Sequence, residues 1–299
     1  MDTVQRAITA GDWKAVVASK PPCGWKYHRH PPARRHEKTG KVQGRFWNVT
    51  LTHCETQTRI LGNDKRPCVI KAELPKLIFP GNGFVITTQE ELNNAVSRLH
   101  SLALEVVFGL VLGDWQRLHL AWNLPVNTRS LNRTLRKASH KWFRRLPDRV
   151  HAVGDSDTPT YYYPGAGKTG CIYDKGQEQG SGQGFCRPEL RLENPFLKAR
   201  LFAVPDRANF HLHRRGIISA TEALQRKNTL NLADCYDLWR EFLFGFEGGE
   251  KLFAKHLPLT GPPCFHQNPN NSIDGKRATP ATAAAEGGTI THTHERQTP

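Results

Sequence analysis

The 299-residue sequence lacks the features that would place it among several large classes of protein. Its seven cysteines are odd in number and no two have C-x-x-C spacing, so neither a zinc ribbon nor a disulfide framework is predicted. No run approaches the roughly 18 apolar residues of a membrane span. No apolar segment follows a basic one near the start, so no secretion signal is predicted. These absences favour a protein of a reducing cytoplasm with no membrane partner.

Acidic residues are scarce compared with basic ones. The chain has 27 Asp plus Glu against 42 Lys plus Arg, a formal net charge of +15. Such an excess favours an anionic partner, and nucleic acid is the commonest one. A membrane surface, or solubility alone, would also account for the charge.

Composition divides the chain into three parts. Residues 1–43 are predicted to form an N-terminal helix and an irregular segment rich in proline, glycine and basic residues. Residues 44–257 carry regular periodicities and are predicted to form the main domain. Residues 258–299 consist largely of proline, threonine, asparagine, glycine and alanine, which predicts a disordered tail.

The first half of the main domain alternates between strand and helix patterns. Alternating residues predict strands at 45–53, 68–74 and 115–124. Thr88 and Glu91 form a capping box that predicts a helix of about five turns.

A basic amphipathic helix is predicted over 127–146. Arg136 and Lys137 on its polar side are candidates for contact with DNA phosphates, because each such contact adds counterion-release affinity. An ordinary solvated face is the alternative.

Three strand-like runs follow, PTYYYP, TGCIYDK and FCRPELRLE, separated by glycine-rich turns. Two further helices are predicted near 218–228 and 231–245. The order of elements predicts an α+β fold, in which helices pack on a mainly antiparallel sheet.

The TGCIYDK and FCRPELRLE strands hold the most informative polar residues. Alternation places Tyr173 and Lys175 on one face of the first strand, and Glu189 and Arg191 on one face of the second. A hairpin between the two strands would bring Tyr173 near Glu189. The upstream strand places Arg117 and His119 together on one face, in the same way.

A tyrosine beside a carboxylate and a histidine suits cleavage of a phosphodiester. A divalent metal held by oxygen and imidazole ligands would polarise the phosphate, and the tyrosine would attack it and form a covalent link. Lys175, Arg187 or Arg191 would stabilise charge on the transferring phosphate. Each residue alone has a structural explanation, so the hypothesis depends on their combination.

Four segments together resemble the trans-acting replication initiator family of plasmids and filamentous phages. IYDKGQE (172–178) and RPELRLEN (187–194) are similar to the family's tyrosine segment and to the strand that follows it. AELPKLIFPGNG (72–83) and RLHLAWNL (117–124) are similar to two upstream segments, in the same order. The resemblance spans roughly residues 66–200.

The resemblance implies a rolling-circle initiator with the nickase-like fold of that family, working in a bacterial host cell. It implies that Tyr173 is the nucleophile, that His119 and Glu189 lie on the metal-binding strands, and that Glu178 assists them around Mg²⁺ or Mn²⁺. It further implies origin DNA, locally melted, as substrate, with a 3′-OH left for a host polymerase. A host helicase is a candidate partner of the tail, and a homodimer would suit the closing of a circle. Arg117, Arg187 and Arg191 are the expected phosphate contacts near the tyrosine.

Two positions depart from the family pattern. His119 stands where the family usually has an aspartate, and imidazole suits Mg²⁺ less well than Mn²⁺. Cys171 replaces a polar residue before the tyrosine. These departures leave the identity of the metal open.

Other motifs compete with this interpretation. GAGKTG (165–170) is similar to a P-loop, but position 162 is tyrosine instead of glycine and a strand is predicted to follow it. His211 and His213 would share one face of a strand, as metal-binding pairs of other tyrosine nickases do. The tyrosines at 161–163 are rival nucleophiles, with packing at a strand end as their alternative role.

Two other classes of function remain as hypotheses. A non-catalytic, basic DNA-binding protein of a phage or plasmid would bind DNA without cutting it. A metal-dependent hydrolase would cut DNA without a covalent tyrosine intermediate.

Overall fold

Alternating apolar and polar residues build one large antiparallel sheet in the computed structural model of this protein. Its ten strands run in the order β2-β5-β6-β7-β1-β8-β12-β11-β10-β9, and every neighbouring pair is antiparallel. Strands β3 and β4 form a separate pair. The structure describes residues 1–14, 20–30, 34–35, 42–43, 47–80, 84–144, 148–152, 155–175, 185–219 and 229–257. All of these belong to one compact unit.

The described strands have the following bounds: β1 Thr3–Trp13, β2 Trp25–Arg29, β3 Arg34–Arg35, β4 Val42–Gln43, β5 Val49–His53, β6 Arg59–Gly62, β7 Pro67–Glu73, β8 Val107–Ala121, β9 Asp148–Ala152, β10 Asp155–Gly165, β11 Lys168–Asp174 and β12 Cys186–Glu193. The described helices are α1 Gln89–Val106, α2 Thr128–Leu135, α3 Asn194–Leu197, α4 Ala203–Arg214, α5 Leu232–Phe244 and α6 Gly249–Phe253. A π-helical turn, Lys198–Phe202, joins α3 to α4, and short 3₁₀ turns occupy Leu74–Leu77 and Ala254–His256. Among the described helices, none has both the length and the apolar character to cross a membrane.

The core lies between one face of the sheet and the helices α1 and α5. Leu118 of β8 and Leu190 of β12 are fully buried in the same cluster as Leu99 of α1 and Trp239 of α5. The Trp239 indole Nε1 donates a hydrogen bond to the carbonyl oxygen of Pro188, 2.9 Å away, which fixes α5 against β12. Because strand side chains alternate, the polar residues of β8 and β12 lie on the opposite face of the sheet.

The predicted α+β class, with helices on a mainly antiparallel sheet, is confirmed. The predicted strands around the two hairpins also form, as β10, β11 and β12. GAGKTG (165–170) closes the β10–β11 hairpin and continues into a strand. A P-loop would be followed by a helix, so this segment is not a P-loop.

One helix prediction is wrong, and a second helix is shorter than predicted. The N-terminal helix is instead β1, which pairs with β7 on one side and β8 on the other. Pairing with strands more than sixty residues away outweighs the local helix preference of its residues. The helix expected over 127–146 ends at Leu135, and Arg136 and Lys137 lie exposed just beyond it.

The other predictions of domain bounds and helices have mixed outcomes. The sheet takes strands from both sides of residue 44, where the main domain was predicted to begin. The helix expected near 231–245 forms as α5. Most of the helix expected near 218–228, the predicted tail at 258–299 and Glu178 lie outside the described residues.

The capping box at the start of α1 yields a stability prediction. The Thr88 side chain accepts a hydrogen bond from the backbone N–H of Glu91, and the Glu91 carboxylate accepts one from the backbone N–H of Thr88. Thr88→Ala is expected to lower the free energy of unfolding by about 1 kcal/mol, because the helix loses its N-cap. Urea unfolding measures the change. Ser97→Ala, in the exposed middle of the same helix, is the control and is expected to change stability by less than about 0.5 kcal/mol.

Candidate functional site

The register between β11 and β12 places Tyr173 and Glu189 on one face of the sheet. Tyr173 lies directly opposite Arg187, and Cys171 lies directly opposite Glu189. Opposed residues of an antiparallel pair point to the same side, so Tyr173 is the diagonal neighbour of Glu189, within reach of a long side chain. The tyrosine is half-buried rather than enclosed in the core.

Strand β8 completes this face from the other side of β12. His119 lies directly opposite Arg191. The His119 Nδ1 atom lies 2.7 Å from Oε1 of Glu189, and the Nε of Arg191 donates to the same oxygen, also at 2.7 Å. We call His119, Glu189 and Arg191 the polar triad. The structure therefore joins two strands through one carboxylate oxygen.

The Glu189 carboxylate is held in its ionised form. Its burial alone would raise its pKa, but the hydrogen bond and charge of His119 and the charge and hydrogen bond of Arg191 together lower the pKa to about 2. The Arg191 guanidinium is half-buried, and although burial disfavours its charge, Glu189 raises its pKa. The triad thus keeps a permanent negative and a permanent positive charge side by side.

The hydrogen bond to Glu189 also decides which nitrogen of His119 stays available. Whenever the imidazole is in its neutral form, this hydrogen bond places the proton on Nδ1 and the lone pair on Nε2. That Nε2 atom is buried and has no hydrogen-bond partner among the described residues. It is therefore able to accept a proton or to bind a metal ion.

The metal ligands expected at this face come together only in part. His119 and Glu189 meet, but the described residues contain no group of three or more His, Cys, Asp or Glu side chains arranged to hold a metal ion. The third expected ligand, Glu178, lies outside the described residues. The unpartnered Nε2 of His119 fits a divalent cation such as Mn²⁺, with Glu189 orienting the ring from Nδ1 and with an incomplete set of protein ligands among the described residues.

Lys175 and Arg187 are both more buried than a phosphate contact requires. Lys175 is buried, with its Nζ 6.0 Å from the centroid of the Tyr173 ring. Arg187 is 1% exposed, and its Nε donates to Oδ1 of Asn123 at 2.7 Å, with Asp2 at 3.9 Å from its Nη1. In this conformation Arg187 packs beneath the face and would have to move to touch DNA. Lys175, which was expected to stabilise charge on the phosphate, lies beside the Tyr173 ring.

The other predicted phosphate contacts are accessible. Arg117 has 44% of its side chain exposed and pairs with Glu193 at 2.9 Å on the same face. Arg136 and Lys137 are exposed after α2, but the described structure shows no contact of either with the polar triad.

The tyrosines at 161–163 divide between the two faces of β10. Tyr161 and Tyr163 are buried in the core, and burial raises the pKa of Tyr163. Tyr162 lies opposite Cys171, on the face of the triad, and its ring centroid is 5.4 Å from Cζ of Arg191. Burial raises the pKa of Tyr162 as well. Tyr162 is thus the one of the three that contacts the site, and strand alternation alone would have singled it out.

His211 and His213 lie in α4 rather than on a strand, so the shared-face geometry expected of a metal-binding pair does not form. Both side chains are exposed, and Nδ1 of His213 lies 3.3 Å from the carbonyl oxygen of Ile218.

Comparison with known proteins finds a distant structural likeness and no match in sequence. The sequence matches no family model and no curated protein. Among solved structures, the fold is similar to that of a rolling circle replication initiator protein from Geobacillus stearothermophilus, with 10% sequence identity and a TM-score of 0.39. The likeness covers 80% of this chain and 93% of that one. At this level it does not establish a shared family.

Proposed function

We propose that this protein is a rolling-circle DNA replication initiator that cuts one strand of origin DNA with Tyr173 and stays attached to the new 5′ end. The observation that carries the proposal is the placement of a half-buried tyrosine on the same face as the polar triad, one diagonal step from Glu189. A tyrosine, a fixed imidazole and a buried ionised carboxylate are the groups that transfer of a phosphoryl group to a phenol needs.

In the proposed step, the Tyr173 hydroxyl oxygen attacks the phosphorus of one phosphodiester. The bond from phosphorus to O3′ breaks, a bond from phosphorus to the phenol oxygen forms, and the released O3′ takes up a proton as the phenol loses one. The free 3′-OH primes a polymerase of the bacterial host. Because a phosphodiester replaces a phosphodiester, the reverse attack by a 3′-OH rejoins the strand.

The triad supplies the surrounding electrostatics. Glu189 orients His119 through Nδ1, which leaves Nε2, unpartnered among the described residues, as a proton acceptor or a metal ligand. A divalent cation held by Nε2 of His119 and by Glu178, with Glu189 orienting the imidazole from Nδ1, would polarise the phosphate when bound. Arg191 and Arg117 provide positive charge on the same face, where the phosphate charge would lie.

The test of this proposal is the recovery of a covalent protein–DNA adduct. Supercoiled circles carrying the DNA that flanks the coding gene are incubated with the protein and Mn²⁺ or Mg²⁺ and run on a denaturing gel. The expected product is an open circle with protein on its 5′ end and a 3′-OH that a polymerase extends. Mass spectrometry of the digested adduct is expected to find the nucleotide on the Tyr173 peptide.

The same assay distinguishes the alternatives. A non-catalytic DNA-binding protein shifts the circles on a native gel but leaves them closed. A hydrolase opens the circles without an adduct. Protease treatment therefore leaves the mobility of its open-circle product unchanged. Either outcome, on DNA that the protein binds, would contradict the proposed function.

A further inference from the structure

A row of cations crosses the face of the sheet that carries the polar triad. Residues directly opposite one another on successive strands share this face, in a line perpendicular to the strands. From β2 to β8 the line contains Lys26, Thr52, Arg59, Lys71, Gln5 and Arg117. Four of these six side chains are cationic and none is acidic. Because the residues come from six separate strands, no segment of sequence shows the row.

The row is accessible, because the helices cover the other side of the sheet. The neighbours that alternate with it, such as Leu51, Ile60 and Ile70, are fully buried in the core. On the row itself Lys26 and Arg59 are exposed, and Lys71 is half-buried. An open face of the sheet therefore presents positive charge to solvent.

The positive charges of the row are close enough to interact. Burial lowers the pKa of Lys71, and Arg59, Arg117 and Arg191 lower it further, against an opposing effect of Glu73. Within the described part of the chain, Lys26, Arg59 and Lys71 form no ion pair. Arg117 is compensated by Glu193, but Arg59 and Lys71 are directly opposite one another, and a bound anion would relieve the repulsion between them.

The row leads to the triad. Five steps of about 4.8 Å between neighbouring strands give a length of about 24 Å from Lys26 to Arg117, enough for several nucleotides. Arg117 lies two residues before His119 on β8, which is about 7 Å along the strand. A single file of cations matches one phosphate backbone, whereas contact with duplex bases requires an element that enters a groove.

We propose that this row binds the phosphate backbone of single-stranded DNA and guides the strand across the sheet to the triad. The inference rests on the proposed function, since it assigns the path of the strand that Tyr173 cuts. It adds Lys26, Arg59 and Lys71, which no motif in the sequence singled out, to the DNA-binding surface.

The experiment measures binding of the full chain to a fluorescent oligo(dT) strand and to a duplex of equal length, at several salt concentrations, with a chelator present so that no strand is cut. Arg59→Gln combined with Lys71→Gln is compared with Arg98→Gln combined with Lys251→Gln, an equal loss of charge on exposed helix positions. Removal of two phosphate contacts is expected to reduce the salt slope for the single strand by about 1.4 and the affinity near 0.1 M salt by about 25-fold. The control pair is expected to leave both values unchanged.

Three results would overturn the inference: an unchanged slope in the row variant, an equal loss in the control pair, or a larger loss on the duplex than on the single strand. Thermal unfolding checks that the row variant folds. Should Lys71→Gln disturb the sheet, Arg59→Gln alone is expected to show half of the change in slope. The proposed function fails separately, by absence of a Tyr173 adduct, and the row variant tests strand binding whether or not the adduct forms.

Discussion

Tyr173→Phe is expected to abolish covalent strand cutting while leaving DNA binding nearly unchanged. The substitution removes one oxygen, and that oxygen is the atom proposed to bond to phosphorus. The ring would keep its half-buried place on β11, beside Lys175. Since no covalent route remains without the nucleophile, the rate of adduct formation is expected to fall by at least about a thousandfold. Denaturing gels of supercoiled substrate measure the adduct, and native gels measure binding.

Tyr162→Phe is the matched control for this experiment. It removes the same atom from a second tyrosine on the same face, next to Arg191. We expect Tyr162→Phe to keep the adduct, with a rate within about tenfold of the unmodified protein, because its hydroxyl is proposed to contact the site without forming a bond. Cutting that persists in Tyr173→Phe would point to a hydrolase, and an adduct lost only in Tyr162→Phe would make Tyr162 the nucleophile.

Much of the site followed from strand alternation alone. The period of two in TGCIYDK and FCRPELRLE predicts which residues share a face, and the pairing of Cys171 with Glu189 agrees with the hairpin that was expected. The approach of His119 to Glu189 depended on a third strand in the correct register. That register was suggested by the resemblance and not by any local rule, because the two residues are seventy positions apart.

The features that the sequence did not predict depend on pairing between segments that are far apart in the chain. Strand β1 has residues that suit a helix, and only β7 and β8 supply the hydrogen bonds that make it a strand. Alternation also predicts on which face of the sheet a residue lies, but it does not predict whether other residues bury it there. Arg187 lies on the predicted face, yet Asn123 accepts its hydrogen bond beneath the surface and it is buried. The cation row was missed because its residues come from six separate strands. No local pattern in the sequence predicts which residues of those strands lie opposite one another.

The buried charge of Glu189 yields the largest expected effect on stability. Glu189→Gln keeps the size of the side chain and removes the charge that compensates Arg191 and orients His119. A pKa lowered from 4.5 to about 2 corresponds to about 3 kcal/mol of stabilisation at neutral pH, and the variant is expected to lose about that amount. Strand cutting is expected to fall with it, since the imidazole loses its fixed tautomer.

The pH dependence follows from the direction of this shift. Because the folded state lowers the pKa of Glu189, its contribution is complete above the unfolded value of 4.5 and disappears as the pH falls towards 2. Urea unfolding at pH 3 to 8 is therefore expected to show a constant difference between the protein and Glu189→Gln above about pH 5.5, shrinking below about pH 4.5. Glu193→Gln is the control on the same strand and face. Its carboxylate is 54% exposed and pairs only with Arg117 among the described residues, so its loss is expected to cost less than about 1 kcal/mol. Equal costs for the two substitutions would show that the triad does not hold the charge as the geometry implies.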